Sequence, residues 1–360
     1  MSTAFAREAS RVAPCSACGG EREALCSAEE IAAQRERARR FHAARLVCAD
    51  PAEREERSSF TQRDPGALEI CRSCGLVARD PLPAPRALVQ RYTNDAYPPW
   101  RIDEMRAAQV ASFRRKLPQL RRLVGTPRRV LEIGSFVGGF LEVARTAGWW
   151  ATGIDPGRQV GAACRVRGLD VRACTIEEFD AVNVRAPVDC VAIWNTFDQL
   201  ADPSPALEFA RRWLRPGGVL ALRVPHGVHY ARSMRRWRGA AGPRGRFAET
   251  CLAWNNLLGF PYLYGWGLAS LDLATRRFGL TRVAAQGDVL CALAGRATAD
   301  WARREERACK QLQRAWIALD ARRPRSRLAA APWLDVYYRR NVDQETSSRS
   351  SFAGPCTTRP

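Results

Sequence analysis

Three groups of residues in this 360-residue chain have types and spacings that do chemistry. Cys15-Ser16-Ala17-Cys18-Gly19 and Cys71-Arg72-Ser73-Cys74-Gly75 are two C-x-x-C-G knuckles. A two-residue gap lets both thiolates of a knuckle reach one tetrahedral Zn²⁺ at ~2.3 Å, and the following glycine permits the sharp turn beneath it. Cys15, Cys18, Cys71 and Cys74 together make four ligands, a closed structural site with no open position for catalysis. The second group is Val130-Leu131-Glu132-Ile133-Gly134-Ser135-Phe136-Val137-Gly138-Gly139-Phe140, followed by Gly153-Ile154-Asp155. It reads as a strand, a Gly-rich turn and a helix start, then a second strand ending in an acid. Gly134 and Gly138 let backbone approach a ligand where a Cβ would intrude. Asp155 can accept hydrogen bonds from both hydroxyls of a ribose. The third group is His226 and His229, which follow a strand ending at Pro225. An imidazole there is a candidate proton acceptor, with His226 favoured for proximity and Tyr230 as a weaker candidate.

These groups need a scaffold, and the pattern between them supplies one. Strands are expected at 129–133, 150–154, 170–173, 189–194, 218–224, 281–285 and 289–294, with helices at 138–147, 157–167, 204–214 and 268–278. Such alternation predicts a doubly wound, mainly parallel sheet covered on both faces. Gly287-Asp288 reads as a hairpin turn between the last two strands, which makes one edge strand antiparallel. The boundaries follow: 1–80 a zinc-ribbon-like module with a helical insertion, 81–127 a helical linker, 128–295 the central α/β domain, 296–342 a C-terminal helical extension, and 343–360 a disordered Ser/Thr-rich tail. Within the insertion, Ser27-Ala28-Glu29-Glu30 fits a capping box opening a helix to about Arg45, and 50–66 reads as a polar loop. Cys26, His42 and Cys48 lie there too and compete as metal ligands.

Composition sets limits. The net charge is +20, yet only Lys116 and Lys310 among the cations are lysine, which points to a GC-rich genome rather than a phosphate-binding face; nucleic acid is a secondary expectation. Thirteen cysteines, an odd number, without an apolar leader segment, argue against a disulfide framework. No apolar run approaches the ~20 residues of a membrane span, so a soluble cytoplasmic protein without membrane contact is expected. Its oligomeric state is open.

Val130 to Phe140, with Asp155, resembles motif I and the following acidic residue of class I S-adenosylmethionine-dependent methyltransferases. Val188-Asp189-Cys190-Val191-Ala192-Ile193-Trp194 is similar to that family's fourth strand, and Leu214-Arg215-Pro216-Gly217-Gly218-Val219-Leu220 to its Pro-Gly-Gly turn into the fifth. The pattern G-x-F-x-G-G, rather than G-x-G-x-x-G, speaks against a dinucleotide. The resemblance implies a Rossmann-like seven-stranded sheet. It also implies S-adenosylmethionine bound by Glu132, Gly134, Ser135, Phe136, Gly138 and Asp155, with Thr175 and Ile176 by the adenine and Asn195 by the methionine part. Phe136 departs from the family, where a glycine is common. Cys71 to Pro83, followed by Tyr92 and Tyr97, resembles the N-terminal zinc ribbon of a bacterial subgroup acting on sugar nucleotides or natural-product intermediates. A small-molecule acceptor is therefore implied, and Arg232, Arg235, Arg236, Arg238, Arg244 and Arg246 make it an anionic one. The aromatic run from Trp254 to Trp266 is a candidate wall for that acceptor. Two other readings stay open, an RNA methyltransferase and a zinc-containing binding protein whose fold is catalytically idle. Cys309, Leu312, Trp316 and Leu319 recur at helical spacing and read as a core-packing stripe.

Overall fold

The computed structural model describes residues 14–58, 66–126, 129–182, 186–238, 242–323 and 328–342. The tail at 343–360 lies outside the described residues.

The N-terminal part contains β1 (Arg22–Cys26), α1 (Ala28–Ala43), α2 (Pro51–Ser58), β2 (Ala67–Cys71) and β3 (Val77–Asp80). The capping box is formed: Ser27 Oγ accepts from the Glu30 N–H at 3.2 Å, and the Glu30 carboxylate accepts from the Ser27 N–H at 2.8 Å. Part of the expected polar loop is instead α2. Asp50 Oδ1 accepts from the Ala52 N–H at 2.8 Å, and the buried Arg57 guanidinium pairs with Glu53 one turn back and ties the helix to Glu104. A helix so polar forms because ion pairs, not an apolar face, tie it down. Then come α3 (Pro85–Thr93) and α4 (Pro99–Val124), each opened by a proline in its first turn, where the missing N–H costs nothing.

The central part runs β4 (Arg129–Ile133), α5 (Gly139–Thr146), β5 (Trp150–Ile154), α6 (Arg158–Val166), β6 (Asp170–Arg172), α7 (Ile176–Val182), β7 (Val188–Trp194), α8 (Ser204–Trp213) and β8 (Leu214–Pro225). After it come α9 (Gly227–Arg238), α10 (Pro243–Trp254), β9 (Tyr264–Gly265), α11 (Leu268–Arg276), β10 (Leu280–Asp288), α12 (Asp300–Ala321) and β11 (Trp333–Arg340). Seven strands form one sheet in the order β6-β5-β4-β7-β8-β11-β10. The pairs from β6 to β8 are parallel. β11 runs antiparallel to both β8 and β10. Both faces are covered. Leu131, Ile133, Val191, Ile193, Leu220 and Leu222 pack into one apolar cluster, and their neighbours Val130, Cys190, Ala192, Val219 and Ala221 into another that contains Phe113 and Phe140. Side-chain alternation along each strand divides the two clusters.

The fold class is the expected one, but the antiparallel pair at the edge arises differently. Residues 281–285 and 289–294 do not form a hairpin. β10 runs unbroken through Gly287 and Asp288, which pair with Leu334 and Trp333. Gly287 serves packing, since a Cβ there would lie 2.5 Å from the Ala331 Cβ. The partner strand β11 comes from the segment read as helical extension. Every residue from Trp333 to Tyr338 is buried, so it lacks the alternation that marks a half-exposed strand. Its Asp335 is neutralised by Lys116 and by Arg223, the latter at 2.6 Å.

The smaller sheet has the order β1-β2-β3-β9. Its last strand comes from the central part, so the N-terminal module and the larger domain share backbone hydrogen bonds. Arg79 reinforces the seam: fully buried, its guanidinium donates to the carbonyls of Phe260 at 2.5 Å and Tyr262 at 3.3 Å. On α12 the expected core stripe is only partly right. Cys309 is buried, whereas Leu312, Trp316 and Leu319 face outward.

Candidate functional site

The chain leaves β4 for β5 and β6 on one side, then returns to β7 and β8 on the other, so the switch point lies between β4 and β7. Ligands of open α/β sheets bind beyond the carboxyl ends of the strands at such a point. A cavity of about 1140 Å³ lies there, lined by Glu132, Gly134, Ser135, Phe136, Asp155, Thr175, Ile176 and Asn195. Eight of the nine residues expected to hold a cofactor thus meet around one space. The exception is Gly138, which is not part of the lining. Its φ is +75°, and a Cβ there would lie 2.6 Å from Leu169 Cδ1, so glycine is needed at this helix entry; the close approach is to core, not to ligand.

The Gly-rich turn is held by β5. The Gly134 N–H donates to the Ile154 carbonyl at 2.7 Å. The Phe136 N–H donates to Asp155 Oδ2 at 2.7 Å, and the Gly157 N–H donates to Asp155 Oδ1 at 2.8 Å. Each Asp155 oxygen keeps a further lone pair. Burial raises the Asp155 pKa, and the two N–H bonds oppose that rise. Phe136 has φ +45°, in the left-handed region that glycine enters freely, so the loop adopts a glycine-like conformation despite the bulky residue. Its ring meets Tyr97 edge-on at 5.5 Å between centroids, and both residues border the cavity. Gly134 has φ +73°, and a Cβ there would fall 2.1 Å from Thr196 Oγ1.

Four polar atoms of the lining are buried without a hydrogen-bond partner among the described residues: Glu132 Oε2, Ser135 Oγ, Trp194 Nε1 and Asn195 Oδ1. Burial, then the Asp155 charge, pushes the Glu132 carboxyl well above the usual carboxylate range. Orphaned buried polar atoms are costly unless something meets them. Thr175 caps α7, its Oγ1 accepting from the Glu178 N–H at 3.3 Å.

Sequence reasoning missed the strap that closes this side. Asp95 accepts from the Gln159 and Val160 N–H groups at 3.0 Å each, the N-terminus of α6. Gln159 in turn grips the Tyr97 backbone at 2.6 and 2.7 Å. Tyr92 donates to Gln199 at 2.6 Å, and Gln199 donates to the Asn195 carbonyl at 2.8 Å. Tyr92 and Tyr97 could be singled out in the sequence; their hydrogen-bond partners, 60 or more residues away in the chain, could not.

The same cavity extends to Phe113, Asn256, Tyr262, residues 290–296 and Trp333. Of the aromatic run, Asn256 and Tyr262 reach it, while Trp254, Phe260, Tyr264 and Trp266 are buried in the core. None of Arg232, Arg235, Arg236, Arg238, Arg244 and Arg246 lines it. The cations that do are Arg101, Arg296 and Arg303.

His226 and His229 are a correction. They follow β8 as expected, but neither lines the cavity. His226 is fully buried with Nδ1 at 2.9 Å from the Ala331 carbonyl, and His229 Nδ1 lies 3.1 Å from the Ala329 carbonyl. Burial lowers their pKa to about 3 and about 4 respectively. Both rings hold the 329–331 segment through these carbonyls.

The four knuckle cysteines come together. Their sulfurs all lie within 4.8 Å of one another, with Cys15–Cys74 at 3.6 Å and Cys18–Cys71 at 3.5 Å, and none is in a disulfide. A tetrahedron with metal–sulfur bonds of ~2.3 Å has edges of ~3.8 Å, so the donor set fits a zinc ion. Cys26, His42 and Cys48 are not in this cluster.

Comparison with known proteins bears on the domain as a whole. Residues 103–253 match the model of a family described as a methyltransferase domain. No curated protein matches the chain. A solved S-adenosylmethionine-dependent methyltransferase from Archaeoglobus fulgidus is 16% identical, covering 65% of this chain and 94% of its own, with a TM-score of 0.40. A putative sarcosine dimethylglycine methyltransferase from Galdieria sulphuraria is 13% identical, covering 68% and 92%, with a TM-score of 0.40. A plantazolicin methyltransferase solved with a triazolic desmethyl analogue and SAH is 11% identical, covering 67% and 89%, with a TM-score of 0.42. No helix among the described residues is long and apolar enough to cross a membrane. The match to a methyltransferase domain over residues 103–253 falls on the part of the chain that holds the parallel strands β4 to β8 and the glycine turn bonded to Asp155.

Proposed function

We propose that this chain is a class I S-adenosylmethionine-dependent methyltransferase and that it methylates a small molecule with a largely apolar body, bound in the same cavity as the cofactor. The observation that carries this reading is the joint lining: the polar cradle at Glu132, Ser135 and Asp155 and the apolar wall of Phe113, Tyr262, Leu290 and Trp333 border one space of about 1140 Å³. A pocket for one drug-sized ligand spans roughly 300–1,000 Å³, so this space suits two ligands side by side. S-adenosylmethionine supplies a methyl group on a sulfonium, already activated for in-line displacement. In this reading Asp155 accepts from the ribose hydroxyls, and Thr175 and Ile176 border the adenine. Asn195 Oδ1, buried and unpartnered, accepts from the methionine ammonium, and Glu132 and Ser135 complete the cradle. The protein's task is then positioning, which supplies much of the acceleration when the leaving group comes ready.

An anionic acceptor such as a sugar nucleotide fits less well. Arg303 donates to the carbonyls of Gly295 and Arg296 and pairs with Asp300. Arg101 lies 3.6 Å from Glu56 and 3.7 Å from Glu104, and Arg296 lies 3.9 Å from Glu53. Arg101 and Arg303 are thus engaged with protein acceptors, which leaves Arg296 alone to meet a diphosphate that two forks would grip. We further infer that Cys15, Cys18, Cys71 and Cys74 hold a structural Zn²⁺ that fixes the start of β1 to the β2–β3 turn.

Thermal melting of the protein saturated with S-adenosylhomocysteine, in the presence of neutral phenolic compounds and of UDP-sugars, tests the acceptor class. Stabilisation by phenolic compounds is expected; stabilisation confined to UDP-sugars contradicts it.

A further inference from the structure

α12 buries one apolar face and, among the described residues, leaves large apolar side chains exposed beside it. Ala302, Cys309 and Ile317 are buried against the body. Trp301, Leu312, Trp316 and Leu319 are 54%, 52%, 69% and 58% exposed, and Ala308 and Ala315 are exposed between them. At 3.6 residues per turn the exposed set falls within an arc of about 100°, whose centre is roughly 110° from that of the buried set and whose edge at Trp316 lies about 20° from Cys309. The stripe therefore adjoins the buried face and carries the helix's apolar surface outward from the body.

The charges beside it are mostly positive. Arg304 and Arg322 border the stripe on one side with Arg307 beyond them, Arg323 closes its C-terminal end, and Arg314 turns away to Asp288 at 4.0 Å. The acids near it are engaged: Glu305 is held by Arg45 at 2.7 Å, Asp300 pairs with Arg303, and Asp320 lies 4.0 Å from Arg323. The chain as a whole carries +20. A Trp/Leu stripe edged by arginines has the chemistry of a helix lying in the headgroup layer of an anionic bilayer, its apolar face a few ångströms deep. A second copy of the chain fits less well. The 22-residue helix is about 33 Å long, and a strip ~10 Å wide along it presents roughly 300 Å², short of the ~800 Å² per partner of a standard interface. Two copies would also bring like-charged arginine rows together.

We propose that the outer face of α12 docks the enzyme on an anionic lipid surface. The contact is peripheral, not spanning. Arg303 of the same helix lines the cavity, so the docked face and the site share one rigid element.

Co-sedimentation of the full chain with phosphatidylglycerol vesicles and with phosphatidylcholine vesicles tests this. The protein is expected to pellet with the anionic vesicles, weakly or not at all with the neutral ones, and less as salt is raised. The double variant Leu312→Glu, Trp316→Glu changes only exposed side chains, so its melting temperature should be unchanged while its vesicle affinity falls by at least ~10-fold. Failure of the wild type to pellet with anionic vesicles overturns the proposal. So does equal pelleting of the double variant, or a wild-type dimer in light scattering that the same variant splits, which would make a second copy the occupant.

Discussion

The Phe136 N–H donates to the Asp155 carboxylate at 2.7 Å, and this one bond ties the glycine turn after β4 to the end of β5. It explains how a phenylalanine can stand at φ +45°. The acceptor on the neighbouring strand fixes the amide, the amide fixes the left-handed turn, and the ring rests edge-on against Tyr97 at the cavity wall. The carboxylate thereby shapes the loop as well as presenting its own oxygens to the cavity.

Gly134 should tolerate no side chain. At φ +73° an alanine is strained by about 1–2 kcal/mol, and its Cβ would collide with Thr196 Oγ1 at 2.1 Å. Gly134→Ala is expected to destabilise the protein by roughly 2–3 kcal/mol in denaturant melts. Thr196→Ala in the same chain should restore the steric share but not the strain. A fully restored double mutant would show that the left-handed conformation costs nothing here.

The cysteine cluster should carry zinc. Elemental analysis is expected to give about one zinc per chain, lost in Cys71→Ser, Cys74→Ser, with a melting temperature several degrees lower. β2 ends at Cys71 and β3 pairs with β9 of the larger domain, so the loss should also loosen the seam between them. Zinc-free protein from a chelator-free preparation would remove this assignment.

The buried histidines predict acid sensitivity. His226 and His42 are lowered to about 3, and His229 to about 4, burial being the main cause of each. In the unfolded chain they titrate near 6.5. Below that pH the unfolded state takes up protons that the folded state refuses, so stability is complete above pH ~6.5 and falls as pH drops toward the folded values. Each histidine contributes a slope of up to about 1.4 kcal/mol per pH unit in that window. His226→Asn should flatten the decline between pH ~6 and ~4.5. An unchanged pH profile would mean that His226 is not kept neutral by burial.

What the sequence revealed was local. The β4–turn–α5 segment, Asp155, the Ser27 capping box and the two cysteine knuckles each lie within a few consecutive residues, and each is found where expected. What it hid is tertiary. β11 is buried on both faces and carries Asp335 and two tyrosines, so no alternation announces it. The histidines follow the right strand, yet their Nδ1 atoms bond to carbonyls at 329 and 331, about a hundred residues on. The side-chain direction that decides between a proton acceptor and a packing residue is set by that distant segment. The stripe on α12 shows the opposite limit, since periodicity finds an apolar face but does not say whether the body or the outside meets it.

The central claim is that this cavity holds the adenosyl cofactor with Asp155 as the ribose acceptor. Calorimetry of S-adenosylhomocysteine binding to wild type and to Asp155→Asn tests it most directly. Saturable binding one-to-one by wild type is predicted, weakened roughly 100-fold, about 2.7 kcal/mol, in the variant, as expected for lost hydrogen bonds to a charged group. Equal affinity in both proteins, or no binding by wild type, would contradict the account.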